Sequence, residues 1–413
     1  MYSSSRNSVV ITTFLFFIII ITTNFFAYIT WNKTIGGRVL KIVDLFLIFF
    51  YFQNLTKIKN AQIQHFKTEI SHILWFSFFS IIGSFLLYGT NPINSLSEKL
   101  DHAFILIYFV LHFKQVEEKH LIKILLILSI IITLLLFIQQ ITFPLAPFGL
   151  KSIDEVQNPN DIIEIRNGLI RYRIPSHTFL LFIIFFYWDK LSRHIKLITI
   201  IPLGIGLLGI YLLLTKQLIA TVILTIFLSI FLIHNKKIKA VTFFLLITLC
   251  IIGYIYKDVL FSEMLDNAKE QANEDDIRVL SAKFFLNKIL NNPIGFFLGH
   301  GYIPQLQQWG EKYGYWITDV GFIGETFLYG IFYLFIYIQT LWKIYKYRYY
   351  LPLYIKMYIL STLFICIMIF PYRDNTEFIT WAIILYICDL YINKSQLRYL
   401  QNENRCFCNH NKL

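Results

Sequence analysis

The chain is poor in charge, poor in cysteine and empty of the short motifs that mark familiar soluble chemistries. Only 15% of its 413 residues are Asp, Glu, Lys or Arg, against 56% hydrophobic. That balance lies outside the soluble globular range and points to a multi-spanning membrane protein. Walker-type phosphate loops, HExxH, GxSxG and paired CxxC are all absent, so coupling to ATP is set aside. Of the five cysteines, Cys250, Cys366 and Cys388 lie in or near apolar runs, and Cys406 and Cys408 lie in a polar tail. Their spacing fits no metal site and argues against a disulfide framework. Glu274-Asp275-Asp276 is not the separated DxD pattern of many metal-dependent glycosyltransferases, and helix capping accounts for it. Neither a metal nor a cofactor is inferred. The net charge of +12 raises nucleic acid as a partner, but the cations sit in short connections without an aromatic-basic motif, and nucleic acid is excluded.

What is present is apolar sequence. Runs long enough for ~30 Å of hydrocarbon recur at 9–29, 39–55, 70–89, 101–114, 120–141, 175–188, 197–214, 218–234, 239–256, 319–342, 353–371 and 376–393. The expected fold is an all-α polytopic membrane protein of about twelve helices. The first run follows one cation, Arg6, and has no small-residue cleavage site, so it reads as a retained signal anchor. With the N-terminus cytoplasmic, the connections carrying Lys57, Lys59 and Lys67, then Lys190, Arg193 and Lys196, then Lys236, Lys237 and Lys239, then Lys343, Lys346, Arg348 and Lys356, all fall inside. The chain then divides into helices one to nine at 1–256 with an external loop at 142–174, a large external loop at 257–318, helices ten to twelve at 319–393, and a cytoplasmic tail at 394–413. Both termini are cytoplasmic.

The external loops hold the polar chemistry. In the second, Ile277, Leu280 and Phe284 follow Asp275-Asp276 at helical spacing, and the pattern stops at Asn291-Asn292-Pro293, which predicts an amphipathic helix of about four turns. Arg278 falls in its first turn, where a cation opposes the helix dipole. A bound anion resolves that conflict, and so does pairing with Glu274, Asp275 or Asp276. In the first loop Arg166, Arg171 and Arg173 fall within "RNGLIRYRIPSH". Arginine grips phosphate bidentately, although lipid headgroups also attract such residues. Lys216 sits at a short external turn, where snorkelling is the alternative. Arg373-Asp374 reads as a local ion pair, and His177 as a satisfied helix histidine. Gly299, Gly301 and Gly321 are expected to let backbone approach a bulky ligand, with a loop-surface position as the plain alternative for His300.

Three stretches resemble the O-antigen and capsule polymerase and ligase superfamily, that is, Wzy-type repeat-unit polymerases and their lipid A-core ligase relatives. "TKQLIATVI" is similar to the family's small or hydroxyl residue followed by a cation, with Lys216 where arginine is usual. "IRVLSAKFFLNKILNNPIGFFLGHGY" is similar to its arginine, amphipathic helix, Asn/His-Pro and Gly-x-Gly succession, which carries Arg278 over. "TDVGFIGETFLYGIFYLFIY" has Thr318-Asp319 where ligases carry His-Asn, which favours a polymerase.

The resemblance implies a GT-C-like glycosyltransferase in the bacterial cytoplasmic membrane. It would join undecaprenyl-pyrophosphate-linked repeat units into O-antigen or capsular polysaccharide at the outer face, with a chain-length regulator as a further protein partner. Arg278 and Asp319 are then the catalytic candidates. Arg171, Arg173, Lys216, His300 and Tyr302 are the residues expected to hold pyrophosphate or glycan. An O-antigen ligase is the nearer alternative. A polyprenyl-linked oligosaccharide flippase is the second, although it calls for charged spans, and here Asp44 and Asp389 are exceptions. A membrane acyltransferase is more remote.

The alternating basic connections are directly testable. A reporter that works only after export, fused at Gln271, is expected to be active, and one that works only in the cytoplasm to be silent. The opposite pattern overturns the assigned topology.

Overall fold

The computed structural model describes residues 2–22, 33–61, 63–142, 163–166, 169–172, 177–194, 196–233, 277–366 and 375–410, with isolated positions between 236 and 251. The described chain is helical apart from one hairpin. It runs through α1 (Tyr2–Thr22), α2 (Lys33–Gln53), α3 (Leu55–Asn60), α4 (Lys67–Tyr88) and α5 (Pro92–Lys99). A 3-10 helix (Leu100–Leu106) leads into α6 (Ile107–Lys114) and then α7 (Glu118–Thr142). The antiparallel strands β1 (Ile163–Arg166) and β2 (Leu169–Tyr172) follow, then α8 (His177–Arg193), α9 (Leu197–Leu212) and α10 (Lys216–Leu232). After these come α11 (Ile277–Leu290), α12 (Pro293–Leu298), α13 (Gln305–Tyr313), a 3-10 turn (Ile317–Asp319), α14 (Gly321–Tyr329), α15 (Ile331–Lys346), α16 (Leu353–Ile365) and α17 (Asn375–His410).

Three of these helices, over Lys67–Tyr88, Glu118–Thr142 and Asn375–Leu397, are long and apolar enough to cross a membrane. Four shorter apolar stretches, Val10–Thr22, Ile198–Leu212, Lys216–Phe231 and Leu353–Ile365, accompany them. At 1.5 Å per residue, a helix of about twenty residues matches the ~30 Å of hydrocarbon. The hairpin departs from the all-α expectation, and it lies in the segment assigned to the first external loop.

Polar contacts sort to two ends of the bundle. At one end Glu69, in the first turn of α4, takes Lys343 from the last turns of α15 at 2.9 Å. Glu118 accepts the hydroxyls of Tyr354 and Tyr391 at 2.9 and 2.8 Å. Asp389, fully buried, accepts from the His65 amide at 3.3 Å and from the Tyr108 hydroxyl, and pairs with His112 at 2.9 Å. Arg193 grips Asp189 bidentately one turn away. At the opposite end Tyr88 closes α4 and meets His300, while His177 at the start of α8 meets Glu377 at the start of α17 at 3.4 Å. His177 is thus a partnered helix histidine, in line with the sequence reading. Cys366 and Cys388 are free thiols.

The apolar run 319–342 is not one helix. It breaks at Gly330, whose φ of 82° and ψ of 172° leave the helical region. The break strands the last carbonyls of α14, and the strap 299–301 supplies their donors. His300 N–H donates to Phe327 O at 2.7 Å and Gly301 N–H to Leu328 O at 3.0 Å. Every residue of this seam is buried, so its backbone groups must pair within the protein. Glycine is required on both sides: a Cβ on Gly299 would strike the Leu328 carbonyl, and one on Gly330 the Phe297 carbonyl. Across the strap lies α4, whose buried stripe Ser77, Ser80, Gly83 and Ser84 lets backbone come close. A Cβ on Gly83 would meet the Gly299 carbonyl, and one on Gly301 would meet Ser84. The glycines of "GHGY" therefore accommodate protein backbone and side chains, not a bulky ligand, which corrects the sequence expectation.

Gly89 provides a control, because its φ is +65° but nothing lies within 4 Å of a Cβ built there. Gly89→Ala should cost about 1–2 kcal/mol of backbone strain. Gly299 sits at φ 82° and ψ 162°, a region essentially reserved to glycine, so Gly299→Ala adds backbone overlap to a different strain and should lose roughly 3 kcal/mol or more. Thermal melting of the purified variants in detergent compares the two, and equal midpoints would show that the seam is not needed for stability.

Candidate functional site

The stretch 277–319 is organised by aromatic packing around α11. Asn291 and Asn292-Pro293 end that helix, as the sequence implies. Asn292 then caps α12 by accepting from Gly295 N–H at 3.1 Å, with Pro293 in the first turn. The buried face of α11 is Ser281, Phe285 and Ile289, one residue on from the predicted face, and Ile277 is 50% exposed. Two partners explain the displacement. Phe285 packs edge-on against Phe327 of α14 at 5.1 Å, while Phe284 packs against Trp309 and Tyr315 at 5.0 and 5.3 Å. The covered sector spans both contacts, with its middle between Phe284 and Phe285.

The elements that carry three charged candidates each pack on the start of α14 or on the turn before it, directly or through the end of α16. Arg278 is exposed in the first turn of α11, beside Ile277, whose side chain closes over Gly314. The helix packs on the 317–319 turn that ends in Asp319. Asp319 is exposed and accepts a hydrogen bond from the Thr318 hydroxyl at 3.3 Å. It does not cap α14: the cap position is Val320, and no side chain accepts there. Lys216 is the first residue of α10 and half-buried. Next to it, Gln217 Nε2 donates to the Phe364 and Ile365 carbonyls at 3.4 and 3.2 Å, and Phe322 N–H donates to the adjoining Cys366 carbonyl at 3.0 Å. The end of α16 thus ties the Lys216 turn to the first turn of α14. Two cations and one carboxylate are side-chain types that can hold an anionic group and supply a base.

A polar cleft opens at the same end. It measures about 440 Å³ and is lined by Thr90, Asn91 and Asn94 from the α4–α5 turn, and by Tyr302, Pro304 and Gln307 from across it. The α4–α5 turn is held in place by its own hydrogen bonds. Asn91 Oδ1 accepts from Ile93 N–H at 2.9 Å and its carbonyl from Ser95 N–H at 3.1 Å, while the Ser95 hydroxyl bonds Thr90 and Ser84 at 3.5 and 3.4 Å. Tyr302 is a sequence-named residue, whereas Asn91, Asn94 and Gln307 are not. The Asn91-Pro92 cap signal was legible, but it sits in a short connection that gave no reason to place chemistry there.

His300 lies behind this cleft instead of in it. It is 2% exposed, stacked flat on Phe327 at 4.1 Å, and its Nδ1 meets the Tyr88 hydroxyl at 2.7 Å. A Cβ on Gly295 would enter its ring. His300 is therefore a scaffold residue joining α4, α12 and α14, not a loop-surface residue. Burial pushes its imidazole down to about 4, opposed by the nearby Lys288 carbonyl, so it is neutral at pH 7. Arg171 lies on β2 at the register position opposite Glu164. Arg173, Arg373, Asp374, Glu274, Asp275, Asp276 and Cys250 lie outside the described residues. Among the described residues no cluster of three His, Cys, Asp or Glu side chains has metal-ligand geometry.

No protein-family model matches this chain, and no curated protein matches it either.

The buried imidazole has a pH consequence. Its folded value lies below the ordinary 6.5, so the unfolded chain takes up the proton first as pH falls. Stability present above pH 6.5 is then lost down to about pH 4. The full loss is on the order of 3 kcal/mol. His300→Gln, which cannot titrate, should show a smaller fall in melting midpoint than the wild-type chain between pH 7 and pH 4. Parallel falls would show that His300 is not the group responsible.

Proposed function

We propose that this protein is a membrane-bound repeat-unit polymerase. In this reading it transfers a growing glycan from undecaprenyl pyrophosphate to the end of a newly exported lipid-linked repeat unit. The observation that carries the reading is that the elements bearing Lys216, Arg278 and Asp319 are tied together around the start of α14. These are the residues that the three stretches of resemblance single out, and they come from three separate segments of the chain. The chain then crosses the bacterial cytoplasmic membrane about twelve times, with 142–174 and 257–318 outside and the Glu69, Glu118 and Asp389 end inside.

The chemistry divides among these side chains. The acceptor hydroxyl oxygen attacks the anomeric carbon of the donor sugar and gives its proton to the Asp319 carboxylate. The bond from that carbon to the pyrophosphate oxygen breaks, and undecaprenyl pyrophosphate leaves with the electron pair. Arg278 offers a planar donor fork to the departing phosphates, and Lys216 adds a second positive charge. Charge that develops on the leaving group is where fixed donors stabilise the transition state. A positioned carboxylate contributes typically ~10²–10⁴-fold.

Arg278→Ala should leave surface glycan of single repeats at unchanged protein level. Arg278→Lys should restore little, because an ammonium cannot reproduce the fork. Asp319→Asn should lower extension by roughly two orders of magnitude. Electrophoresis of surface glycan together with extraction of lipid-linked material reads all three. Long chains of wild-type abundance in the Arg278→Ala strain would overturn the catalytic assignment. Long chains stranded on undecaprenyl pyrophosphate would identify a ligase instead.

A further inference from the structure

We propose that the cleft between the α4–α5 turn and α13 is a binding subsite for an uncharged sugar. The choice of a sugar, as opposed to another small polar molecule, rests on the glycan-transfer reading. The volume of about 440 Å³ falls within the roughly 300–1,000 Å³ of small-molecule pockets.

The lining decides the class of ligand. Among the described residues that line the cleft none carries a charge: the amides and hydroxyls of Thr90, Asn91, Asn94, Ser95 and Gln307 stand beside an apolar surface from Tyr302, Ile303, Pro304 and Leu306. A uronate or phosphate placed there would give up water without gaining a cation. A neutral sugar presents hydroxyls that both donate and accept, and the lining amides supply both functions. Their orientation is set by their other bonds. Asn91 Oδ1 is taken by the Ile93 amide at 2.9 Å, which leaves Nδ2 to donate. Gln307 Nε2 is taken by Glu311 Oε1 at 2.8 Å, which leaves Oε1 to accept. Tyr302 adds an aromatic ring whose hydroxyl hydrogen-bonds with Tyr329, so the ring is held as a flat apolar surface for the C–H face of a pyranose. The α4–α5 wall is ordered by the bonds of Asn91, Ser95 and Thr90, so little side-chain entropy opposes binding.

The placement fits the division of labour. The nine-residue helix α13 contributes Gln307 to the cleft and packs Trp309 against Phe284 of α11, the helix that begins at Ile277-Arg278. A neutral part of the glycan held in the cleft is thereby coupled through one short helix to the segment that carries the phosphate-directed cation.

The test is saturation-transfer NMR and affinity measurement on the full chain in lipid nanodiscs. The neutral probes are the methyl glycosides of glucose, galactose and N-acetylglucosamine, and the charged probes are methyl glucuronide and inorganic phosphate. At least one neutral glycoside should bind, with competition confined to the neutral set. The double variant Asn94→Ala, Gln307→Ala should bind it at least tenfold more weakly at an unchanged melting midpoint. Asn94→Asp, which keeps the shape of an exposed side chain, should weaken it as well and serves if the double variant folds poorly. Absence of binding by every neutral glycoside, equal competition by glucuronide or phosphate, or wild-type affinity in the variants overturns the subsite. Failure of the transfer reading looks different. If Arg278→Ala leaves chain length unchanged while neutral glycosides still bind the cleft, that reading falls and the subsite stands. If Arg278→Ala stops extension while the cleft variants bind as wild type does, the subsite alone falls.

Discussion

The structure depends on a backbone seam. Where α14 ends at Tyr329, the chain turns through Gly330, and two carbonyls that a continuous helix would have satisfied are taken by His300 and Gly301. A buried carbonyl without a donor costs a sizeable fraction of a domain's net stability, so the break and the strap are mutually required. Only glycine permits the approach, since Gly299, Gly330 and Gly83 bring three stretches of backbone to distances that any Cβ would block. From that crossing the surrounding segments take their positions: α12 and α13 lead out of the strap's two ends, α11 packs Phe285 onto Phe327, and Tyr302 leaves the strap beside the cleft.

The same seam separates two kinds of polar surface. On one side the buried carboxylates Glu69 and Asp389 and the half-buried Glu118 are matched to lysine, tyrosine and histidine on neighbouring helices. Each match compensates the desolvation of a charge or polar group inside an apolar bundle, and breaking one would leave the other member buried without a partner. On the other side Arg278 and Asp319 face solvent and Lys216 is half-buried. These carboxylates are thus internally paired, while the side chains that the proposed reaction uses are more accessible. The uncharged cleft is linked to Arg278's helix through α13, which lines the cleft with Gln307 and packs Trp309 against Phe284.

Several residues have their roles reassigned by packing. His300 had a loop surface as its plain alternative and instead stacks between Phe327 and Gly295, neutral because burial disfavours the imidazolium. Asp319 directly precedes a helix but does not cap it: Val320 occupies that position without a side-chain acceptor, which leaves the carboxylate outside the helix. The face of α11 shifts by one residue because the helix is covered from two directions, by α14 and by α13, and a periodic pattern in one helix registers only that an apolar side exists.

Composition and hydropathy alone determined that the chain is helical and apolar enough for membrane crossing, because a chain with 15% charged residues cannot coat a soluble fold of this length. Sequence also located α11, its stop at Asn291-Asn292-Pro293, and the charged residues worth attention, since caps, prolines and cations act through local geometry. Tertiary structure decided the rest. The break at Gly330 is invisible to hydropathy, which averages over a kink, and its partner strap lies thirty residues away. Thr90, Asn91, Asn94 and Gln307 come together only when α5 and α13 face each other across the end of α4, and a contact between residues two hundred positions apart has no local signature. Burial separates two neighbours that the sequence could not tell apart: His300 is enclosed, and Tyr302, two residues on, is partly exposed and lines the cleft.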